Sequence, residues 1–193
     1  MNLLLDPLPD FVEADGHRYR IYTSYRNWIK MELAMTDRRL SPQERAVRLL
    51  ALCYPPDGLP PDISAAFDML MEFYRGGEEA YEQGERGAQE NVGQRPVYSF
   101  REDGNLIYSE FFLNGIDLQK TDLHWWQFKA LFARLLGTPY KEIVGYRAMD
   151  LSAIKDKQQR RHYARMKAAF RLPDRRTPQE MERDMVRGLE ALF

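Results

Sequence analysis

Residues 76 to 96 read GGEEAYEQGERGAQENVGQRP, and no other stretch limits so strongly what this chain can fold into. The segment holds four glycines besides the opening Gly76, five glutamates and almost no large apolar side chain. It cannot bury enough surface to offset the entropy lost on ordering. It reads as an acidic, glycine-rich flexible linker over 76-96. The 193 residues then divide into an N-terminal lobe at 1-75 and a C-terminal lobe at 97-193. The fold class predicted is mainly α: a helical two-lobed protein with a short N-terminal β-hairpin.

The hairpin is signalled within FVEADGHRYRIY, residues 11 to 22, where Asp15-Gly16 separates a short apolar segment from one that alternates through Tyr19 and Ile21. Asp-Gly supplies the positive φ angles of a two-residue turn. A helix from Ser24 is predicted to carry Trp28, Met31, Leu33 and Met35. A second opens on Ser41, with Pro42 at its first position and Glu44 three residues beyond the cap, the capping-box spacing. Its predicted apolar face is Val47, Leu49, Leu50 and Cys53, and the PPDGLPP run at 55 to 61 stops it. Asp62 is placed to cap a third helix through Ile63, Ala66, Phe67, Leu70, Met71 and Tyr74, ending at Gly76 and Gly77.

In the second lobe a helix runs through Leu106, Ile107, Tyr108, Phe111 and Phe112 to Asn114-Gly115. The next, TDLHWWQFKALFARLLG, is predicted to start at a Thr121 cap and stop at Gly137. It sets Trp125, Phe128, Phe132 and Leu135 on one side, so it reads as the central core helix. Further helices are expected at 140 to 147, from Asp156 to about Leu172, and from Thr177 onward.

Composition removes several function classes. The 28 basic and 29 acidic residues nearly cancel, so no global field draws the chain to nucleic acid or an anionic membrane. Cys53 is the single cysteine, which excludes an internal disulfide framework and points to a reducing compartment. MNLLLDPLPD lacks a basic n-region, and no apolar run approaches the roughly 18 to 20 residues of a membrane span. The expectation is a cytoplasmic protein with no membrane association.

His17, His124 and His162 fall in a turn, beside a tryptophan pair and on a basic segment, with no metal-ligand spacing among them. Phosphate-binding glycine loops and nucleophile elbows are missing from the sequence. No catalytic residue, metal or cofactor is therefore assigned, and the chain is expected not to be an enzyme. Residues 155 to 176 hold nine cations against Asp156 and Asp174. Arg160, Arg161, Arg165, Lys167 and Arg171 form the core of this basic patch, with Tyr163 and Phe170 available for stacking. Tyr163, Met166 and Phe170 also recur at core spacing, so a solvated or protein-docking face is favoured over nucleic acid. Met181, Met185, Leu189 and Phe193 make a seam on the last helix, a candidate partner surface because methionines adapt to varied apolar partners. The same seam suits packing on the protein's own core.

The span YSFREDGNLIYSEFFLNGIDLQKTDLHWWQFKALFARL resembles the bacteriophage gp-fifteen family of phages and prophages. The motifs that carry the likeness are Asp103, the helix from Ile107 to Phe111, and the Ile116-Asp117-Leu118 turn. They continue with His124, Trp125, Trp126 and Phe128, then Tyr146 and Arg147, and Lys167 to Leu172. The likeness covers most of the chain. It implies a phage tail-cluster protein, a tail assembly chaperone by genomic position. The partners it implies are phage tail proteins, the tape-measure protein and other assembly factors, met in the host cell cytoplasm. A structural tail or neck component of the virion, or a nucleic-acid-binding protein using residues 155 to 176, is the alternative. A homo-oligomer is compatible with all of these.

Overall fold

The computed structural model describes residues 2–14, 16–76, 97–135 and 139–173. The chain opens with strands β1 (Phe11–Ala14) and β2 (His17–Arg20), paired antiparallel from Phe11↔Arg20 to Ala14↔His17. Gly16 takes φ +74° in the turn, a conformation glycine adopts without a Cβ clash. Helix α1 spans Tyr25–Met35, α2 Pro42–Cys53 and α3 Ile63–Arg75. After residue 97 come α4 (Gly104–Leu113), α5 (Trp125–Ala133), α6 (Pro139–Ala148), a 3-10 turn at Leu151–Ala153, and α7 (Lys157–Ala169). The protein is mainly α with an N-terminal hairpin, as predicted.

Local signals set the starts of three helices. The Ser41 side chain accepts from the Glu44 amide while the Glu44 carboxylate accepts from the Ser41 amide, closing the capping box of α2. Asp62 accepts from the amides of Ser64 and Ala65 at the start of α3. Asp156 accepts from Gln159 N–H at 2.7 Å to open α7. Two predicted core positions are outside: Val47 is 68% exposed and Ile63 49%. In α2 the buried residues are Leu49, Leu50 and Cys53, and in α3 Ala66, Met69, Leu70 and Phe73. Val47, in the middle of α2, points roughly 110° away from the centre of the face made by Leu49, Leu50 and Cys53, and Ile63 is the first residue of α3. In α1 Ala34 is buried, whereas Leu33 is only half-buried.

The start of α5 differs from the sequence prediction. Thr121 does not cap it; His124 does, and His124 forms an isolated antiparallel β-bridge with Ser24, the residue before α1. Tyr25 N–H donates to Leu123 O at 2.9 Å and Trp125 N–H to Thr23 O at 2.7 Å, so the backbone before α5 is committed to a bridge with residues 23 to 25. A cross-chain backbone pairing has overridden a good local cap.

A connected series of packed rings runs through the core. Trp28, wholly buried, stacks on Phe73 at 4.9 Å and on Trp125 at 6.1 Å. The series continues through Trp125–Phe128 at 5.9 Å, Phe128–Phe132 at 5.8 Å and Phe132–Tyr140 at 6.0 Å. Tyr25 and Phe111 flank Phe128 at 4.9 and 5.2 Å. Residues before 77 and after 96 thus contribute to one hydrophobic core, with α1 against α5. The linker predicted at 76 to 96 lies outside the described residues, apart from Gly76. Cys53, the last residue of α2, is fully buried, its Sγ 3.5 Å from Met31 Sδ of α1.

Candidate functional site

His124, Trp125 and Trp126 fasten the second half of the chain to the end of α3. The last carbonyls of a helix have no intrahelical donor. Here Trp126 Nε1–H donates at 2.9 Å to Phe73 O, which also accepts the Gly76 N–H at 3.1 Å, and Trp125 Nε1–H donates to Tyr74 O at 3.1 Å. Lys129 Nζ also donates to Tyr74 O, at 3.0 Å, and its charge lies 5.6 Å from the Tyr74 ring centre. Two adjacent indoles can both reach because they leave α5 about 100° apart. Trp125 points into the core and is 2% exposed, while Trp126 lies half-buried across the end of α3, 5.0 Å from the Phe73 ring. The helix end is glycine for reasons of space: a Cβ on Gly76 would sit 2.5 Å from Trp126 Cζ2.

His124 has two roles at once. Its Nδ1 accepts the Trp126 amide at 3.1 Å, and its Nε2 stands 3.0 Å from Pro9 O. A carbonyl can only accept, so the proton sits on Nε2 and the ring is neutral. Gln127 completes a capping box by accepting from His124 N–H. Burial holds the imidazole pKa below its usual value, opposed in part by the bond to Pro9 O. Protonating Nδ1 would remove the acceptor that caps α5.

The His124 imidazole therefore binds its proton less readily in the folded protein than in the unfolded chain. His124 costs nothing while both states are neutral, and it takes stability away as pH falls from about 6.5 toward the lowered folded value. We expect the wild-type melting temperature to drop more between pH 7 and pH 5 than that of His124→Asn, which keeps a capping oxygen but does not titrate. Parallel pH profiles for the two proteins would contradict this role for the ring.

Asp103 and Arg147 form a second junction. Asp103 precedes α4, yet its carboxylate does not cap that helix. It accepts from Arg147 Nη1 at 2.6 Å and Nη2 at 2.9 Å, and from Ser99 N–H at 3.0 Å. The pair is bidentate and buried, with side-chain exposures of 9% for Arg147 and 3% for Asp103. Arg147 also donates to Val97 O at 3.1 Å and Phe170 O at 2.7 Å. One guanidinium therefore ties together the backbone at Val97, the start of α4 and the end of α7. Buried Glu110 lies 3.4 Å from the Tyr140 amide in the first turn of α6. Sequence reading gave Glu110 no role, since a lone carboxylate on a helix carries no signal of its partner.

The remaining motif residues are also engaged within the fold. Asp117 accepts from Gln119 N–H, from Tyr108 Oη–H and from Lys120; the Gln119 amide is the largest cause of its lowered pKa. Leu118 is buried, and its carbonyl accepts from Tyr25 Oη and Arg26. Phe128 is 1% exposed at the centre of the ring series. Tyr146 stacks on Phe170 at 5.9 Å, and Lys167 Nζ donates to Met149 O at 2.7 Å. In the basic patch Arg160, Arg161, Arg165 and Arg171 are exposed on or just beyond α7, and only Lys167 is turned inward. Met181, Met185, Leu189 and Phe193 lie outside the described residues. Among the described residues no group of three or more His, Cys, Asp or Glu could hold a metal ion, and no helix is long and apolar enough to cross a membrane.

Fold and motif together define a mainly helical protein whose two halves are clamped by paired indoles, a neutral histidine cap and a buried Asp–Arg pair. A family model described as Bacteriophage Gp15 protein matches residues 4–172, and the chain belongs to that family. No curated protein and no solved structure matches it.

Proposed function

We propose that this phage protein acts by binding other proteins and not by catalysis, as a tail assembly chaperone that holds the tape-measure protein in the host cytoplasm until tube subunits enclose it. The observation that carries the reading is family membership combined with how the motif is spent. The motif side chains His124, Trp125, Trp126, Asp103 and Arg147 satisfy groups of the chain's own backbone or each other. The residues that mark the family therefore specify a scaffold, and its outer faces are what can engage partners.

One such face is apolar. Leu106, Phe112 and Leu113 are 39%, 54% and 77% exposed along a single side of α4, together with exposed Ser109. A tape-measure protein is a long helix-forming chain with an apolar stripe, and helices dock through anchors at i, i+3, i+4 and i+7. The seam of Met181, Met185, Leu189 and Phe193 would add a second such surface.

Affinity capture from prophage-induced cells should co-purify the tape-measure protein, while mass spectrometry of finished particles should find the chaperone missing. Its presence in particles at a fixed stoichiometry would instead make it a structural tail component. Failure to capture any tail protein would overturn the assembly role.

A further inference from the structure

Helix α7 has no buried residue and holds to the rest of the protein through one side only. Tyr146 stacks on Phe170 and lies 6.3 Å from Tyr163, and Lys167 bonds inward to Met149 O. The other side presents exposed Lys157, Arg160, Arg161 and Arg165, with Lys155 just before the helix. Arg18, Arg20, Arg26, Arg39, Lys120 and Arg147 all have a carboxylate partner. Lys155, Lys157, Arg160, Arg161 and Arg165 form no ion pair among the described residues. Lys157, Arg161 and Arg165 stand at i, i+4 and i+8, a single ridge on which like charges repel and weaken the helix. An anion seated on the ridge would remove that repulsion.

We propose that this ridge docks the acidic face of a helical segment in a partner protein; the inference rests on the assembly role proposed above. The ridge repeats every ~6 Å along the helix axis, the same interval as carboxylates at i and i+4 on a partner helix. Arginine forks bind carboxylates through paired hydrogen bonds. Three observations favour protein carboxylates over nucleic acid. The N-terminus of α7, where a phosphate would otherwise bind, is filled by the Asp156 carboxylate. Tyr163 and Phe170 face Tyr146, so they offer no platform for stacked bases. The net charge of −1 provides no long-range attraction to a polyanion.

The test uses the full chain and three probes followed by fluorescence anisotropy: a helical peptide with glutamates at i, i+4 and i+8, the same peptide with glutamines, and a short DNA duplex. The glutamate peptide should bind and weaken with added salt. The Lys157→Glu, Arg161→Glu, Arg165→Glu variant, with folding checked by circular dichroism, should lose about tenfold or more in affinity. A lysine-ridge peptide should bind that variant instead. Equal binding of the glutamine peptide, tighter binding of the duplex, or undiminished binding by the variant would overturn the proposal. So would binding that emerges only after Glu78, Glu79, Glu82, Glu85 and Glu90 are changed to Gln, because the chain's own acidic segment would then be the occupant. Capture of tail proteins, run beside this, separates the two readings. Equal capture by wild type and variant leaves the assembly role and removes the ridge, whereas ridge-dependent peptide binding without tail-protein capture does the reverse.

Discussion

Trp125→Ala should cost about 3 to 5 kcal/mol, enough to unfold most of the population of a domain of ordinary stability. Trp125 is the ring through which the two halves of the chain meet. It lies 6.1 Å from Trp28, 5.4 Å from Tyr74 and 5.9 Å from Phe128, and α5 holds it in place. Removing it opens a cavity that rigid neighbours on three helices cannot fill. The Phe variant separates packing from hydrogen bonding. Trp125→Phe keeps a ring and loses the N–H, but Lys129 Nζ still serves Tyr74 O. Its cost should be about 1 kcal/mol or a little more. Trp126→Ala should also be milder than Trp125→Ala, since that indole is only half-buried. Urea unfolding followed by circular dichroism gives all three values, and a Trp125→Ala protein within 1 kcal/mol of wild type would refute the central role of this ring.

The second large effect is expected at Arg147. Arg147→Met leaves the Asp103 carboxylate buried without its cation and leaves the carbonyls of Val97 and Phe170 without a donor. Breaking a buried pair from one side costs about 3 to 5 kcal/mol, because the surviving charge stays desolvated. Neutralising both sides should recover part of this. Asp103→Asn combined with Arg147→Met is expected to be more stable than Arg147→Met alone, though still below wild type because the two carbonyls remain unserved. If the double variant is the less stable of the two, the penalty does not come from the stranded carboxylate.

These two junctions show where the sequence was legible and where it was not. The hairpin, the capping box at Ser41 and the Asp62 cap depend on residues within a few positions of one another, and each was visible as a local pattern. The placement of Trp125, Phe128, Leu70 and Phe111 in the interior follows from helical spacing. The start of α5 was misplaced because its deciding partner, the backbone of residues 23 to 25, is about a hundred residues away and Thr121 is a good local cap. Val47 and Ile63 satisfied an apolar spacing of three and four, yet the faces that α2 and α3 bury are centred on Leu49, Leu50 and Cys53 and on Ala66, Met69, Leu70 and Phe73, and which apolar stripe a neighbour covers is a tertiary fact. Asp103 and Arg147 were marked by family resemblance, but their pairing is a tertiary fact, as is the service of the Phe73 and Tyr74 carbonyls by two indoles. The seam at Met181, Met185, Leu189 and Phe193 lies outside the described residues.

The position of Cys53 makes the protein its own reporter of opening. It is the single cysteine, it is fully shielded, and burial pushes its thiol pKa up to about 12. A thiol-specific reagent near pH 8 therefore meets almost no thiolate in the closed protein and an ordinary one once α1 and α2 separate. The alkylation rate, followed by mass, is then a clock for the opening equilibrium of the first half of the chain. Setting that clock in Trp125→Ala and Arg147→Met would show whether damage at either junction loosens the packing of α1 on α2.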